Sequence, residues 1–134
     1  MSFVIDASII AGLAFGEAPD SKIGLAIDEL AVGEALAPRL FFFEVRNALA
    51  VGERRGRTTP QGSADFLRGL ASLPIRIATL PDDDALMTLA RQRKLTVYDA
   101  AYLELAKREG LPLATLDRAL EKAAVAEGVA LFGA

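Results

Sequence analysis

Short apolar stretches of strand length alternate along this chain with longer segments in which apolar residues recur at helical spacing. The strand-like stretches are residues 3–5, 35–37, 75–79, 113–115 and 129–132. The helical segments between them are residues 7–15, 21–32, 40–53, 61–70, 85–93, 100–108 and 118–127. This alternation predicts an α/β fold with three layers, α/β/α, around a central, mostly parallel sheet of about five strands. No linker-like segment interrupts it, so we expect the 134 residues to form one domain.

The composition limits the chemistry that this chain can perform. It contains no histidine and no cysteine, so imidazole bases, thiolate nucleophiles and nitrogen or sulfur ligands for zinc are absent. A net charge of −3 gives no overall attraction to nucleic acid, although a local basic strip can still hold phosphate. The missing disulfide framework, and the lack of a basic leader or a long apolar run, predict a cytoplasmic protein without membrane contact.

Two aspartates directly follow predicted strands. Asp6 comes after residues 3–5, and Asp117 comes just after residues 113–115. Because ligands bind at the carboxyl ends of strands in open parallel sheets, both positions predict a shared site. The alternative for each is N-capping of the next helix, which aspartate does well. Ser8, two residues after Asp6, offers a hydroxyl for either purpose.

Two further acids are candidates for the same site. Glu44 lies inside an apolar segment, and a glutamate that borders apolar packing should be paired, protonated or bound to metal. Asp99 precedes two small residues, Ala100 and Ala101, that permit close packing of a helix against the sheet. Taken alone, an aspartate at this position is more often structural, as a cap for that helix. Asn47, one turn after Glu44, is either a supporting amide or a plain surface residue.

The remaining acids are interpreted as structural or solvated. Asp82, Asp83 and Asp84 follow a proline at a predicted helix start, where negative charge is favourable. The others are expected on solvated helix faces: Asp28, Glu29, Asp65 and Glu104.

Four segments around the candidate acids resemble the PIN domain, and in particular the VapC toxins of bacterial type II toxin–antitoxin systems. They are VIDAS (4–8), FEVRNAL (43–49), YDAAYL (98–103) and TLD (115–117), of which the third is the most specific. Their order across nearly the whole chain implies a single PIN domain over residues 1–134 with a PIN-like fold. The resemblance maps the family's catalytic, metal-binding acids onto Asp6, Glu44, Asp99 and Asp117. It makes Thr115 a hydroxyl partner, and we place Ser8 and Asn47 beside it as supporting residues.

Converging carboxylates repel one another and raise one another's pKa, a conflict that a divalent cation removes. Oxygen ligands suit Mg²⁺ or Mn²⁺, with Asp6 and Asp99 as the expected principal ligands. Glu44 and Asp117 would bind through water, orient the nucleophile or hold a second ion. The resemblance then implies an endoribonuclease that hydrolyses RNA phosphodiesters with metal-activated water, leaving 5′-phosphate and 3′-hydroxyl ends.

The expected partners follow from charge and from the resemblance. Basic residues that would contact RNA phosphates are Arg46, Arg54, Arg55 and Arg57, with solvated helix ends as the alternative. The family forms homodimers and is inhibited by a cognate VapB-like antitoxin, whose arginine an acidic pocket would accept. The three phenylalanines at residues 41–43 and the apolar early helices could supply a dimer or antitoxin groove, although we expect core packing for most of these side chains.

Two other functions stay open from the sequence. One is a PIN-type nuclease for RNA processing that has no antitoxin. The other is a catalytically silent PIN module that binds RNA or protein, although a chain that keeps all four acids is less easily interpreted that way.

Overall fold

A four-stranded parallel sheet forms the centre of the protein. In this computed structural model, which describes residues 1–16 and 21–133, the strands are β1 (Ser2–Ile5), β2 (Glu34–Ala37), β3 (Ile75–Ile77) and β4 (Leu113–Ala114). Their order in the sheet is β3-β2-β1-β4, and all three pairings are parallel. The strand order therefore reverses at β1, and such a reversal opens a crevice at the carboxyl ends of the strands.

Seven helices are described, and they connect and cover the strands. They are α1 (Ala7–Phe15), α2 (Ser21–Leu30), α3 (Leu40–Arg54), α4 (Pro60–Ala71), α5 (Asp83–Arg93), α6 (Val97–Glu109) and α7 (Arg118–Ala126). α1 packs against α2 and α3, and α6 packs against β1 and α5. Among the described residues, none of these helices is long and apolar enough to cross a membrane.

Both faces of the sheet are covered along β1. Phe3, Val4 and Ile5 are all fully buried, although successive side chains of a strand point to opposite faces. β3 lies at an edge, and its residues are half-buried or exposed. The predicted three-layer α/β fold with a parallel sheet is thus confirmed, with β1 at its buried centre.

The fifth predicted strand is reduced to a single bridge. Residues 129–132 were expected to form a strand, but only Leu131 pairs with the sheet, in parallel to Leu113. The backbone bonds from Leu113 to Ala130 and from Phe132 to Leu113 hold this segment against β4. Phe132 also stacks on Phe3, with ring centroids 4.4 Å apart.

One expectation about a side chain is wrong, and a second holds only in part. Glu104 is not solvated but only 5% exposed, because Arg108 closes over it with two contacts of 3.1 Å from Nε and also bonds to Thr79. Of the three phenylalanines, only Phe41 is in the core. Phe42 and Phe43 face outward, because consecutive helix residues are 100° apart and a single apolar face cannot contain all three.

One close helix contact depends on a glycine. Gly52 on α3 is buried against the ring of Phe15 at the end of α1, and a Cβ added there would lie 2.6 Å from Phe15 Cε1. A side chain at this position would therefore force the ring to move.

Candidate active site

The register of β1 and β4 brings Asp6 and Thr115 side by side. Ile5 pairs with Ala114, so the next residue of each strand extends beyond the same edge of the sheet. The Asp6 backbone N–H donates to the Ala114 carbonyl at 2.9 Å. The Thr115 hydroxyl then donates to Asp6 Oδ2 at 2.7 Å, although 109 positions separate the two residues.

Asp6 is held by hydroxyl groups and does not cap its helix. It occupies the N-cap position of α1, but its side chain makes no capping hydrogen bond. Ser8 Oγ instead donates to the same Oδ2 at 2.6 Å. Each hydroxyl also accepts a backbone N–H at 3.0 Å, from Leu116 for Ser8 and from Asp117 for Thr115. Each hydroxyl thus accepts one amide proton and donates its own single proton to Asp6.

Glu44 is paired with a buried tyrosine. It lies in the second turn of α3, half-buried, and its Oε1 accepts a 2.6 Å hydrogen bond from the hydroxyl of Tyr102 on α6. Tyr102 itself is fully buried, and burial together with Glu44 raises the pKa of its phenol. Tyr102 therefore stays a neutral donor and orients Glu44 across the gap between the two helices.

Asp99 and Asp117 begin helices, but in different ways. Thr96 caps α6 by accepting from the Asp99 backbone N–H at 3.1 Å, so α6 begins three residues earlier than predicted and Asp99 lies in its first turn. The capping interpretation of Asp99 is therefore wrong. Asp117 does cap its helix, because Oδ1 accepts from the Leu120 N–H at 3.0 Å. Its second carboxylate oxygen is not needed for that cap.

The four acids influence one another electrostatically. The pKa of Asp6 is raised, chiefly by burial and further by the charge of Asp117. The pKa of Glu44 is raised by burial and by the charges of Asp6 and Asp99. The pKa of Asp99 is raised by burial and by the charges of Asp117 and Asp6. The charges of Asp6 and Asp99 therefore act on each other and on Glu44, and the charge of Asp117 acts on both aspartates.

The oxygen donors fit a hard divalent cation, but the free side chains do not form a closed cage. Across residues 1–16 and 21–133, no group of three or more acidic residues is arranged so that it could hold a metal ion. Mg²⁺, however, is usually bound through one or two carboxylates and keeps several waters. Carboxylates whose pKa values are raised by burial and by one another also gain from a nearby cation. The donor set thus suits coordination by two acids, with the others acting through water.

The candidate RNA-binding arginines occupy two places. Arg46 donates from Nη1 to the Phe42 carbonyl at 3.0 Å, and its guanidinium lies 3.5 Å above the Phe42 ring. Arg54 and Arg55 are exposed at the end of α3, about 15 Å along the helix from Glu44. Arg57 lies just beyond them, over the ring of Phe15. Of the four candidates, Arg46 is therefore the one on the same part of α3 as Glu44.

A groove next to the acids contains the remaining candidate. Asn47 is exposed and lines an open groove of about 480 Å³. The other residues that line this groove are Leu40, Phe43, Glu44, Ala48 and Tyr98. Sequence reasoning assigned no function to Tyr98 or Tyr102. The available signal for Tyr102 was its position three residues after Asp99, which puts both on one face of α6.

Comparison with known proteins agrees with this geometry. A family model described as PIN domain matches residues 3–126. Over 124 residues the chain is 34% identical to Ribonuclease VapC3 from Pyrobaculum aerophilum, which covers 90% of this chain and 92% of that protein. The chain belongs to the VapC branch of the PIN domain family.

Solved structures share the fold of this PIN domain. The crystal structure of PAE2754 from Pyrobaculum aerophilum matches with a TM-score of 0.72 and 28% identity, covering 92% of this chain and 79% of that one. A toxin–antitoxin complex from Klebsiella pneumoniae contains a chain that matches with a TM-score of 0.59 and 19% identity, covering 86% of each chain. At that identity the second likeness concerns the fold alone.

Proposed function

We propose that this PIN domain is the toxin of a type II toxin–antitoxin system and acts as a divalent-metal-dependent endoribonuclease. The observation that carries the proposal is the arrangement at the carboxyl ends of β1 and β4, where Ser8 and Thr115 both donate to Asp6 and where the charges of Asp99 and Asp117 reach it. A relative that is 34% identical over 90% of the chain is named a ribonuclease, which supports RNA as the substrate. We treat residues 1–134 as one PIN domain.

The four acids have different roles in the proposed hydrolysis. Asp6, held by two hydroxyls through Oδ2, and Asp99 would hold Mg²⁺ or Mn²⁺. A cation there would acidify a water and offset negative charge on the leaving oxygen. Glu44, oriented by Tyr102, accepts a hydrogen bond from the attacking water and aligns it with the phosphodiester. Asp117 contributes its remaining oxygen through a water.

The partners proposed for this toxin are a VapB-like antitoxin and a second copy of the chain. A structure that shares the fold is titled a toxin–antitoxin complex. An acidic crevice would bind an antitoxin's arginine through paired N–H···O bonds, which would displace the metal and block the site.

A cleavage assay on mixed single-stranded RNAs tests the proposal. The wild type should cut with Mg²⁺ or Mn²⁺ and not with EDTA, and Asp6→Ala and Asp99→Ala should not cut at all. An RNA-binding module without activity would bind the same RNAs and leave them intact. Co-expression with a small neighbouring DNA-binding protein that relieves growth arrest would distinguish a toxin from an RNA-processing nuclease.

A further inference from the structure

Two aromatic rings stand exposed on either side of the acids. Phe43 on α3 is 70% exposed and directly precedes Glu44, and Tyr98 on α6 is 65% exposed and directly precedes Asp99. Both rings line the groove of about 480 Å³ that also contains Glu44 and Asn47. Large apolar side chains at this exposure are costly unless something covers them, and here they lie at the edge of the proposed reaction centre.

The ring of Phe43 is held in place before any ligand arrives. It meets the Phe42 ring edge to face, with centroids 5.2 Å apart, and the Arg46 guanidinium covers Phe42 at 3.5 Å. Arg46 donates one hydrogen bond to the Phe42 carbonyl, and the other N–H groups of its guanidinium can bond to a phosphate. Going around α3, the Arg46 charge over Phe42 is thus followed by the Phe43 ring and then by Glu44.

We propose that Phe43 and Tyr98 form a stacking site for unpaired nucleobases of the RNA strand that flank the scissile phosphate. The proposal rests on the nuclease function given above. Aromatic rings stack on any base by its π face, and bases in a duplex cannot reach such rings. The Asn47 amide would hydrogen-bond to the edge of the stacked base, and the Arg46 guanidinium would bind a neighbouring phosphate.

The charges in the groove disfavour a second copy of the chain as its occupant. A symmetric contact places the same patch of both subunits together. Such a contact centred on this groove would bring the two copies of Glu44, and the acids behind them, toward each other. A nucleobase carries no such charge, and its phosphates meet Arg46 and the proposed cation.

Binding to a single-stranded oligoribonucleotide in EDTA tests the stacking site without cleavage. We expect Phe43→Leu and Tyr98→Leu each to weaken binding by about 5- to 150-fold, the usual contribution of one base–aromatic stack. Phe43→Tyr and Tyr98→Phe keep the ring and should bind like the wild type. Val125→Ala, which truncates a side chain that is 63% exposed on α7, is the matched control outside the groove and should change nothing.

A series of oligonucleotides, each lacking a different single base, tests whether the rings contact a base and not the backbone. Loss of the stacked base should weaken binding to the wild type by the same factor as the leucine variant. It should then cost the leucine variant nothing further, since the two changes remove one interaction. Equal sensitivity to base removal in the wild type and both leucine variants would overturn the proposal. A change from dimer to monomer in Phe43→Leu, seen by light scattering, would overturn it in favour of a contact between copies.

The same experiment separates the stacking site from the nuclease proposal. Ring-dependent binding by a wild type that never cuts RNA with Mg²⁺ would support the stacking site and refute the nuclease. Metal-dependent cutting that is unaffected by either leucine variant, with unchanged binding, would refute the stacking site and leave the nuclease intact.

Discussion

Removal of one buried hydroxyl should weaken both the fold and the reaction. In Tyr102→Phe the ring stays in the core, but Glu44 loses the 2.6 Å hydrogen bond that orients it. A hydrogen bond to a charged acceptor contributes about 1.5–3 kcal/mol, and water can replace part of it because Glu44 is only half-buried. We expect a loss of about 1–2 kcal/mol at neutral pH, which lowers the melting temperature by about 3–8 °C.

The chain provides its own control for this change. Tyr98 is the only other tyrosine and is 65% exposed, so Tyr98→Phe should alter the free energy of unfolding by less than about 0.5 kcal/mol. Urea unfolding of both variants measures the stability difference, and RNA cleavage with Mg²⁺ should show a loss of about 10- to 100-fold for Tyr102→Phe alone. Equal effects of the two substitutions would refute the argument that Tyr102 positions Glu44.

The sign of the pH dependence follows from the same hydrogen bond. It favours the ionised form of Glu44 and so lowers the pKa of Glu44, against the larger raising effect of burial. Without the bond, the pKa of Glu44 rises further above the ordinary glutamate value. The stability difference between wild type and Tyr102→Phe should therefore be largest near neutral pH and shrink as pH falls through the pKa of Glu44. A difference that grows in acid would contradict this assignment.

Three further predictions concern metal, an ion pair and a helix contact. The pKa of Asp99 is raised, so Asp99→Asn should increase the melting temperature in EDTA near neutral pH, and this increase should be smaller toward about pH 4. The same substitution should reduce the rise in melting temperature that Mg²⁺ produces. An unchanged response to Mg²⁺ would argue against Asp99 as a ligand. Arg108→Met leaves Glu104 buried without its partner and should lower the free energy of unfolding, measured in urea, by about 3 kcal/mol. A loss below about 1 kcal/mol would show that water replaces Arg108 beside Glu104. Gly52→Ala should destabilise the protein by about 1–3 kcal/mol because its methyl group meets the ring of Phe15. Gly69→Ala on α4 places its methyl group in open space and should stabilise the protein by about 0.5–1 kcal/mol. Equal melting temperatures of the two variants would refute that contrast.

The strand-end acids were predictable because their positions depend on one rule of parallel sheets. Asp6 follows a fully buried strand, and the rule that ligands bind at the carboxyl ends of strands indicates its place without any long-range contact. The order of the strands was not readable from the sequence. Only the pairing of β1 with β4 puts Thr115 beside Asp6, and that pairing joins residues more than a hundred positions apart.

Other features were missed because two local solutions were equally good in the sequence. Threonine and aspartate are both good N-cap residues, so the sequence allows α6 to begin after Thr96 or after Asp99. The helix begins after Thr96, and Asp99 therefore lies in its first turn. Glu104 and Arg108 have the spacing of an ordinary surface pair, and Glu104 is buried only because α5 and the Thr79 segment pack against this part of α6. The partner of Glu44 depends on how α3 meets α6, which no local pattern reveals.

Cleavage in water enriched in ¹⁸O tests the central claim most directly, because it identifies the attacking group. If the four acids position a metal-activated water, the 5′-phosphate of the product should carry one ¹⁸O and the other end should be a free 3′-hydroxyl. Labelling should appear with Mg²⁺ in the wild type and be absent with EDTA or in Asp99→Asn. A 2′,3′-cyclic phosphate, or cutting that continues in EDTA, would contradict the account.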